Sequence, residues 1–335
     1  MRSLRGAIGM LMLAIVAGPA VAKDYILATA STTGTFYPVG VGISRIVTES
    51  LEDAGIRLQA VSSAGSAENV RLLKKGEADF AFINGFFAAQ AYSGKGRYEQ
   101  RPAKHLRAVA SLWQTVEHFI VRHDQVQQRT LTDLASLDGR FSISQRNSGS
   151  AGTGLAILDA LELERGNDIH LEWLSYRQSV QAMRNGRLAG ANTPGGVPVA
   201  AVTEALATMG PEAVSILRIS DDQLRAIDTA YPGVWSRFVI PAGTYPGVDE
   251  PVQSAGVGTV LMANRDVPDR VVRQVLGVIF DRLGAVHEVH PAAKEVTLET
   301  ALDGIGTPLH PGAEAFYRTR KLTLPRRLLS ADAQP

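Results

Sequence analysis

Apolar and polar positions alternate along this chain in a repeating order. Residues 25–29 form a short apolar run of strand character, and a polar loop at 30–38 follows it. Val39, Ile43, Ile46, Val47 and Leu51 then recur at helical spacing. Residues 58–61 predict a second strand and 62–66 a second polar loop. That loop opens a helix that turns Val70, Leu72 and Leu73 inward and ends at Lys74-Lys75-Gly76. A basic last turn and a glycine stop are the expected signs of a helix C-terminus. Residues 80–83 are the third strand. A succession of strand, loop and helix of this kind builds a largely parallel sheet.

The order then returns. Residues 141–144 predict a strand, 145–150 a polar loop, and Leu155, Ile157, Leu158 and Leu161 a helix. A strand at 171–174, a turn at 175–179 into a helix, a stop at Arg184-Asn185-Gly186 and a strand at 188–191 complete the set. Sliding Asn69 onto Ser179 pairs Val70 with Val180, Gly76 with Gly186 and Ala81 with Ala191. The shared order of elements points to two similar α/β lobes. Residues 109–121 are long for one strand and are expected to cross between lobes, with 252–262 as a second crossing. Val271, Val275, Val278, Ile279 and Leu283 fall at helical spacing after it. The tail from Leu322, with Pro325-Arg326-Arg327, is expected to be loosely held.

Residues 1–22 break the pattern. Arg2 and Arg5 precede an apolar run, Ile8 to Val16, and Ala20-Val21-Ala22 is a small-x-small cleavage site. This is the layout of a secretory signal peptide, and the run is short of the ~20 residues that span a bilayer. The mature chain is expected to start at Lys23. Its 32 Lys and Arg (34 less Arg2 and Arg5) stand against 33 Asp and Glu. Such a balance offers nothing to nucleic acid. The absence of cysteine excludes disulfides, thiolate catalysis, iron–sulfur clusters and Cys-based zinc sites. An exported, cysteine-free chain without a later apolar span points to a bacterial periplasm. At 335 residues, with 45% hydrophobic residues, there is material for about two packed domains.

Catalytic signatures are missing. There is no G-x-S-x-G, no Walker loop and no H-E-x-x-H, and 149–154 lack the spacing of a dinucleotide loop. His287 and His290 lack a third ligand, and His118, mid-strand in the first crossing, reads as a core or hinge histidine. Asp221-Asp222 reads as a helix N-cap region. What remains are four loops of Ser, Thr, Gly and Asn at strand ends and helix starts. Loops of that make-up present backbone N–H groups and hydroxyls at the positive end of a helix dipole, a site for a carboxylate that needs no metal. In open α/β sheets such sites lie at the strand C-termini. Phe36, Tyr37 and Trp113 are expected to wall the pocket.

Several segments carry a family resemblance. They are Ser31-Thr32-Thr33-Gly34-Thr35-Phe36-Tyr37-Pro38, then Gly65-Ser66-Ala67-Glu68-Asn69-Val70 with Gly76-Glu77-Ala78-Asp79, and Pro308-Leu309-His310-Pro311-Gly312-Ala313-Glu314. Together with Gly243-Thr244-Tyr245-Pro246-Gly247 and residues 112–121, they resemble TAXI-type solute receptors of TRAP transporters. The resemblance spans essentially the whole mature chain. It implies a two-lobed α/β fold of the periplasmic-binding-protein kind (type II), with mixed, mostly parallel sheets and a ligand cleft between lobes joined by crossing strands. Lobe one is then 23–115 plus 255–335, and lobe two is 116–254. It implies a monomeric, non-enzymatic receptor without cofactor or metal. Such a receptor closes on a small organic acid, glutamate, glutamine or a dicarboxylate, and delivers it to TRAP membrane permease subunits. A receptor for an ABC importer and a sensory binding protein are the alternatives on the same scaffold.

Carried over position by position, the resemblance assigns the ligand to five places. The first loop supplies Ser31, Thr33, Gly34, Thr35, Phe36 and Tyr37, with Thr33 where the family usually has a second Gly. Gly65, Ser66 and Asn69 match the second loop, and Asn84 stands at a strand end. Ser148, Gly149 and Ser150 match a Ser-Gly-Thr element. Asn192, Thr193, Pro194 and Gly195 hold the matching place in lobe two. Trp113 precedes Gln114-Thr115, where Pro-Glu is common, and Ala189 replaces a usual Asp. Arg146, in the loop of lobe two, is expected to pair with a second acidic group.

Overall fold

The strand, loop and helix succession is realised twice, in two sheets of matching order. The computed structural model describes residues 23–163 and 169–330, so the expected signal peptide at 1–22 lies outside the described residues. The first run is β1 (Lys23–Ala28), α1 (Phe36–Leu51), β2 (Ile56–Val61), α2 (Ser66–Lys75), β3 (Phe80–Asn84) and α3 (Gly85–Ser93). Then come β4 (Leu106–Val116) and β5 (Phe119–Arg122). The second run is β6 (Arg140–Ser142), α4 (Gly149–Ala160), β7 (His170–Glu172), α5 (Tyr176–Arg184), β8 (Gly190–Asn192), α6 (Ala200–Met209) and β9 (Val214–Leu217). After α7 (Asp221–Ala230) and β10 (Ser236–Ile240), β11 (Val252–Asn264) returns to the first lobe, followed by α8 (Asp269–Asp281), α9 (Leu283–His287) and α10 (Pro311–Thr319).

The first sheet runs β10-β11-β3-β1-β2, with β4 also on β11; the second runs β7-β6-β8-β5-β9. In each, two neighbours lie parallel on a central strand, β2 and β3 on β1, β7 and β8 on β6. In each, an antiparallel crossing strand closes the set, β11 on β3 and β5 on β8. The sequence makes these strands buried on both faces: all five residues of β3 and all three of β8 are buried. Near-continuous apolar runs are the mark of such strands. Helices on both sides supply the matching faces, as in α8, where Val271, Val272, Val275, Leu276 and Ile279 are buried.

The run 109–121, long for one strand, is two. The chain leaves the first sheet at Val116, passes Glu117 and His118, and enters the second at Phe119. A second crossing lies beside it: Glu117 N donates to Ala255 O at 2.9 Å, and Ser254 Oγ to Glu117 O at 2.7 Å. Strand β10 pairs with β11 in the first sheet, although it falls inside the stretch 116–254 expected for lobe two. His118 fits the reading of a hinge or core residue. Its Nδ1 donates to the Val116 carbonyl at 2.9 Å, which leaves Nε2 to accept from the Tyr245 phenol at 2.8 Å. The phenol oxygen in turn accepts from Val199 N at 2.9 Å.

The tail contradicts its expectation. Leu328 is fully buried, its carbonyl accepts from Leu309 N at 2.8 Å, and Ser330 N donates to Glu314. The basic pair Arg326-Arg327 hides this in the sequence, because one leucine does the anchoring. Leu328→Ala should therefore cost about 2–5 kcal/mol, the range for truncating a buried leucine. Urea unfolding of the two proteins measures it; a loss below about 0.5 kcal/mol would mean that the tail is not docked.

Candidate ligand site

The polar loops predicted at strand ends meet from opposite sides around one cavity. Its volume is about 50 Å³, several times the roughly 10–15 Å³ that one buried water needs. From the first lobe, Ser31, Gly34, Thr35 and Phe36 line it at the start of α1, Gly65 and Ser66 at the start of α2, and Asn84 before α3. From the second, Ser148, Gly149 and Ser150 line it at the start of α4, and Pro194 and Gly195 just beyond β8. These residues are among those the sequence points to.

Seven others of that set lie off the lining. Thr33 on the first loop and Tyr37 in the first turn of α1 are partly exposed. Asn69 is buried under it, its Nδ2 donating to the carbonyls of Thr29 (2.7 Å) and Phe82 (2.8 Å), so it braces the strand ends. Trp113 packs edge-on against Phe36 and Phe82, with centroids 5.9 and 5.2 Å away, and backs the wall. Asn192 donates to Glu117 at 2.8 Å, and Thr193 N donates to His118 O at 2.9 Å. Arg146 is turned away from the role expected of it. Its guanidinium lies 4.1 Å from the centroid of the Trp173 ring, a cation–π seat outside the lining.

Other lining residues escaped the sequence reading: Ala30, Ala64, Thr115, Ser144, Gln145, Ser175 and Tyr176. A signal for two of them was present. The shift that lays Asn69 on Ser179 also lays Gly65-Ser66 on Ser175-Tyr176. Ser175 caps α5 in a capping box with Gln178, and Tyr176 is its first residue. The Tyr176 hydroxyl donates to Pro194 O at 2.5 Å and accepts from Ser150 Oγ at 2.6 Å. Burial pushes this phenol up, so it stays a donor.

The electrostatic character follows from the backbone. Residues at the starts of α1, α2, α4 and α5, and Asn84 capping α3, all line the cavity. The first N–H groups of a helix have no partner within it, and the helix dipole adds about half a positive charge there. No Asp, Glu, Lys, Arg or His lines the cavity among the described residues. The space is therefore biased toward an anion by dipoles alone. Its hydroxyls have no general base among the lining residues to activate them.

The lobes touch across the cavity. Thr35 Oγ1 donates to Gly196 O at 2.8 Å, Gln145 Nε2 to Ala64 O at 3.1 Å, and Arg97 Nη2 to Asn147 Oδ1 at 3.0 Å. Two glycines permit the approach. A Cβ on Gly149 would lie 2.5 Å from Ser66 Oγ. One on Gly196 would lie 2.6 Å from the Ala292 Cβ and 2.7 Å from the Trp113 ring.

Below the cavity, at the crossing, lies Glu117. It is 1% exposed, and burial pushes its carboxyl up to about 7. Next to it, burial holds the His118 imidazole down at about 4. Among the described residues no helix is long and apolar enough to cross a membrane.

A family model described as the NMT1-like family matches residues 27–319. Solved structures of similar backbone include MatC from Rhodopseudomonas palustris with bound malate. It is 14% identical, the match covers 89% of this chain and 98% of that one, and the TM-score is 0.53. A binding-protein component of an ABC phosphonate transporter from Pseudomonas aeruginosa is 11% identical over 84% of this chain and 83% of that one, with a TM-score of 0.53. A Xanthomonas citri protein bound to ATP is 11% identical over 89% and 98%, with a TM-score of 0.50. At these identities the likeness is one of fold. The chain has the two-lobed α/β periplasmic-binding-protein fold of type II, as its sequence led us to expect.

The buried carboxyl makes a stability prediction. A folded value of about 7 lies above the ordinary 4.5. The folded state therefore holds this proton more tightly than the unfolded chain does. The resulting stabilisation is complete below about 4.5 and is lost as pH rises through about 7. Glu117→Gln removes the titration, so it should gain about 3 kcal/mol on the parent between pH 5 and pH 8. Urea unfolding at both pH values is the check; an equal difference at each would show that Glu117 ionises freely.

Proposed function

The chain belongs to the NMT1-like family, and from that premise we propose that it is a periplasmic solute receptor that captures a small organic acid and hands it to a membrane transporter. The observation that carries this reading is the cavity between the lobes, faced by helix N-termini and by no charged side chain among the described residues. Such a site holds a carboxylate by N–H groups and hydroxyls and leaves it chemically unchanged. Binding is hinge closure: the acid bridges the lobes and shifts the population toward the form in which they touch. The two moving bodies are 23–115 with 255–335, and 116–254, amended by β10, which pairs with the first sheet. No cofactor or metal takes part, and the receptor acts as a monomer. Export by the segment 1–22 gives it its place in the periplasm.

The ligand class is glutamate, glutamine or a dicarboxylate. The malate bound in MatC, on the same fold, supports an acid. Delivery to a TRAP permease rests on the TAXI-like segments, above all the first loop through Tyr37 and the 308–314 motif. An ABC importer is the second reading, favoured by the phosphonate-transporter component that shares the fold. Uptake reconstituted with each candidate membrane partner separates them, since one is driven by an ion gradient and the other by ATP.

A thermal-shift screen of residues 23–335 against organic acids tests the reading. An acid present at 100 times its Kd should add about 2.7 kcal/mol of stability. A screen in which no acid stabilises the protein while neutral sugars or amines do would reject an anion site. Closure has its own test. Gly149→Ala places a methyl against Ser66 Oγ and should lower affinity at least about tenfold. Scattering should show the variant folded and failing to compact when the parent's acid is added. Unchanged affinity would mean that the lobes do not need this contact.

A further inference from the structure

Among the described residues the cavity lining carries no charge, yet a buried ionisable group acts on one of its side chains. Glu117 links β4 to β5, and its Oε2 accepts from Asn192 Nδ2 at 2.8 Å. Its Oε1 has no hydrogen-bond partner. Thr153 and Trp235 stand against the same carboxyl, and no cation offsets it among the described residues. The strand before it and two of these neighbours, Asn192 and Thr153, tie the carboxyl to the cavity. Thr115, two residues earlier, lines it, as do Pro194 and Gly195 just beyond Asn192. Thr153 belongs to α4, whose first residues line it. The phenol of Tyr176, itself a lining group, feels the charge of Glu117.

We propose that Glu117 couples acid capture to proton uptake: it is ionised in the unloaded protein and takes up a proton as an organic acid enters the cavity. This inference rests on the cavity being an acid site. Two negative charges close to each other in a buried space repel strongly, because little water is left to screen them. Helix dipoles stabilise one anion there, and the cheaper route for the second charge is protonation. Burial already places the carboxyl near neutrality, so the step lies within reach.

The groups facing Glu117 leave it the titrating member of its surroundings. They are His118 from the crossing, Tyr176 from α5, Asn192 from β8, Thr153 from α4, Trp235 before β10 and Ser254 from β11. His118 is held down at about 4 and Tyr176 is pushed above its ordinary range, so neither changes charge between about pH 6 and 8.5. Acid affinity should therefore fall as pH rises through that window, by roughly 5- to 10-fold, a coupling of ordinary size.

Calorimetry with L-glutamate and malate, in two buffers of different ionisation enthalpy at about pH 7.5, reads the proton directly. The parent should take up a fraction of a proton per ligand, and Glu117→Gln none. The variant should bind at pH 8.5 as tightly as the parent does at pH 6. Asn192→Ser withdraws the amide that holds the ionised form, and should move the uptake maximum to higher pH. Saturable binding without uptake by the parent overturns the coupling and leaves the acid site standing. So does uptake retained in Glu117→Gln, or, should that variant not fold, uptake unmoved in Asn192→Ser. If neither acid binds at either pH, the acid-site reading falls and the coupling with it.

Discussion

Five helices can aim their N-terminal ends at one small volume only if two sheets hold them from opposite sides. That constraint organises the rest of the molecule. In each lobe the central parallel strand, β1 or β6, carries its neighbours so that their C-terminal ends and the helices that follow face the other lobe. The loops between them must be short and tolerant of close approach, which is why they are made of Ser, Thr, Gly and Asn. Side chains then do secondary work. Asn69 ties the ends of β1 and β3 together from below, and Ser66 Oγ accepts from Asn84 N at 3.0 Å, fixing the start of α3 beside that of α2.

The crossing strands join the lobes where the sheets come nearest. Glu117 and His118 lie there with no exposure to solvent worth the name. Each has a physical reason to be neutral when the lobes touch: burial disfavours the charged imidazole, and it disfavours the carboxylate by more than the Asn192 amide, with Thr153 and Trp235 beside it, makes up for. A hinge with a fixed charge would resist the low dielectric of the closed cleft. A hinge whose charge is conditional resists it only when ionised, which links the state of the cleft to the proton.

Much of this was legible in the sequence, and the rest was hidden for identifiable reasons. The strand β3 announces itself because burial on both faces demands a near-continuous apolar run, and β1 does so from Tyr25 on, past its exposed Lys23 and Asp24. Edge strands do not: in β10 Ser236, Arg237 and Val239 are exposed, and it pairs only with β11, the strand that follows it in the chain. Loop chemistry gave the cavity's rim, because Gly and hydroxyl residues at helix starts have a local meaning. Direction is not local. Nothing in the residues around Arg146 says that its guanidinium finds the face of Trp173. Nor does the sequence show that Trp113 backs Phe36 instead of lining the cavity. Tyr176 was missed because an aromatic at a helix start reads as packing until its hydroxyl is seen to bridge Ser150 and Pro194.

The absence of a cation from the described lining bears on how such a receptor can work. A helix N-terminus stabilises an anion by about 0.3–1 kcal/mol, somewhat more when partly buried. Several together give a few kcal/mol, spread over N–H groups from both lobes. A buried Arg in their place would concentrate a comparable energy in one lobe, and the empty site would carry an uncompensated charge. On the proposed reading, spreading the attraction means that neither lobe alone would hold an acid well, since α1 and α2 belong to one and α4 and α5 to the other. Opening the hinge then dismantles the site itself. If the proposed function holds, a transporter that separates the lobes would release an acid without having to compete with any single strong contact.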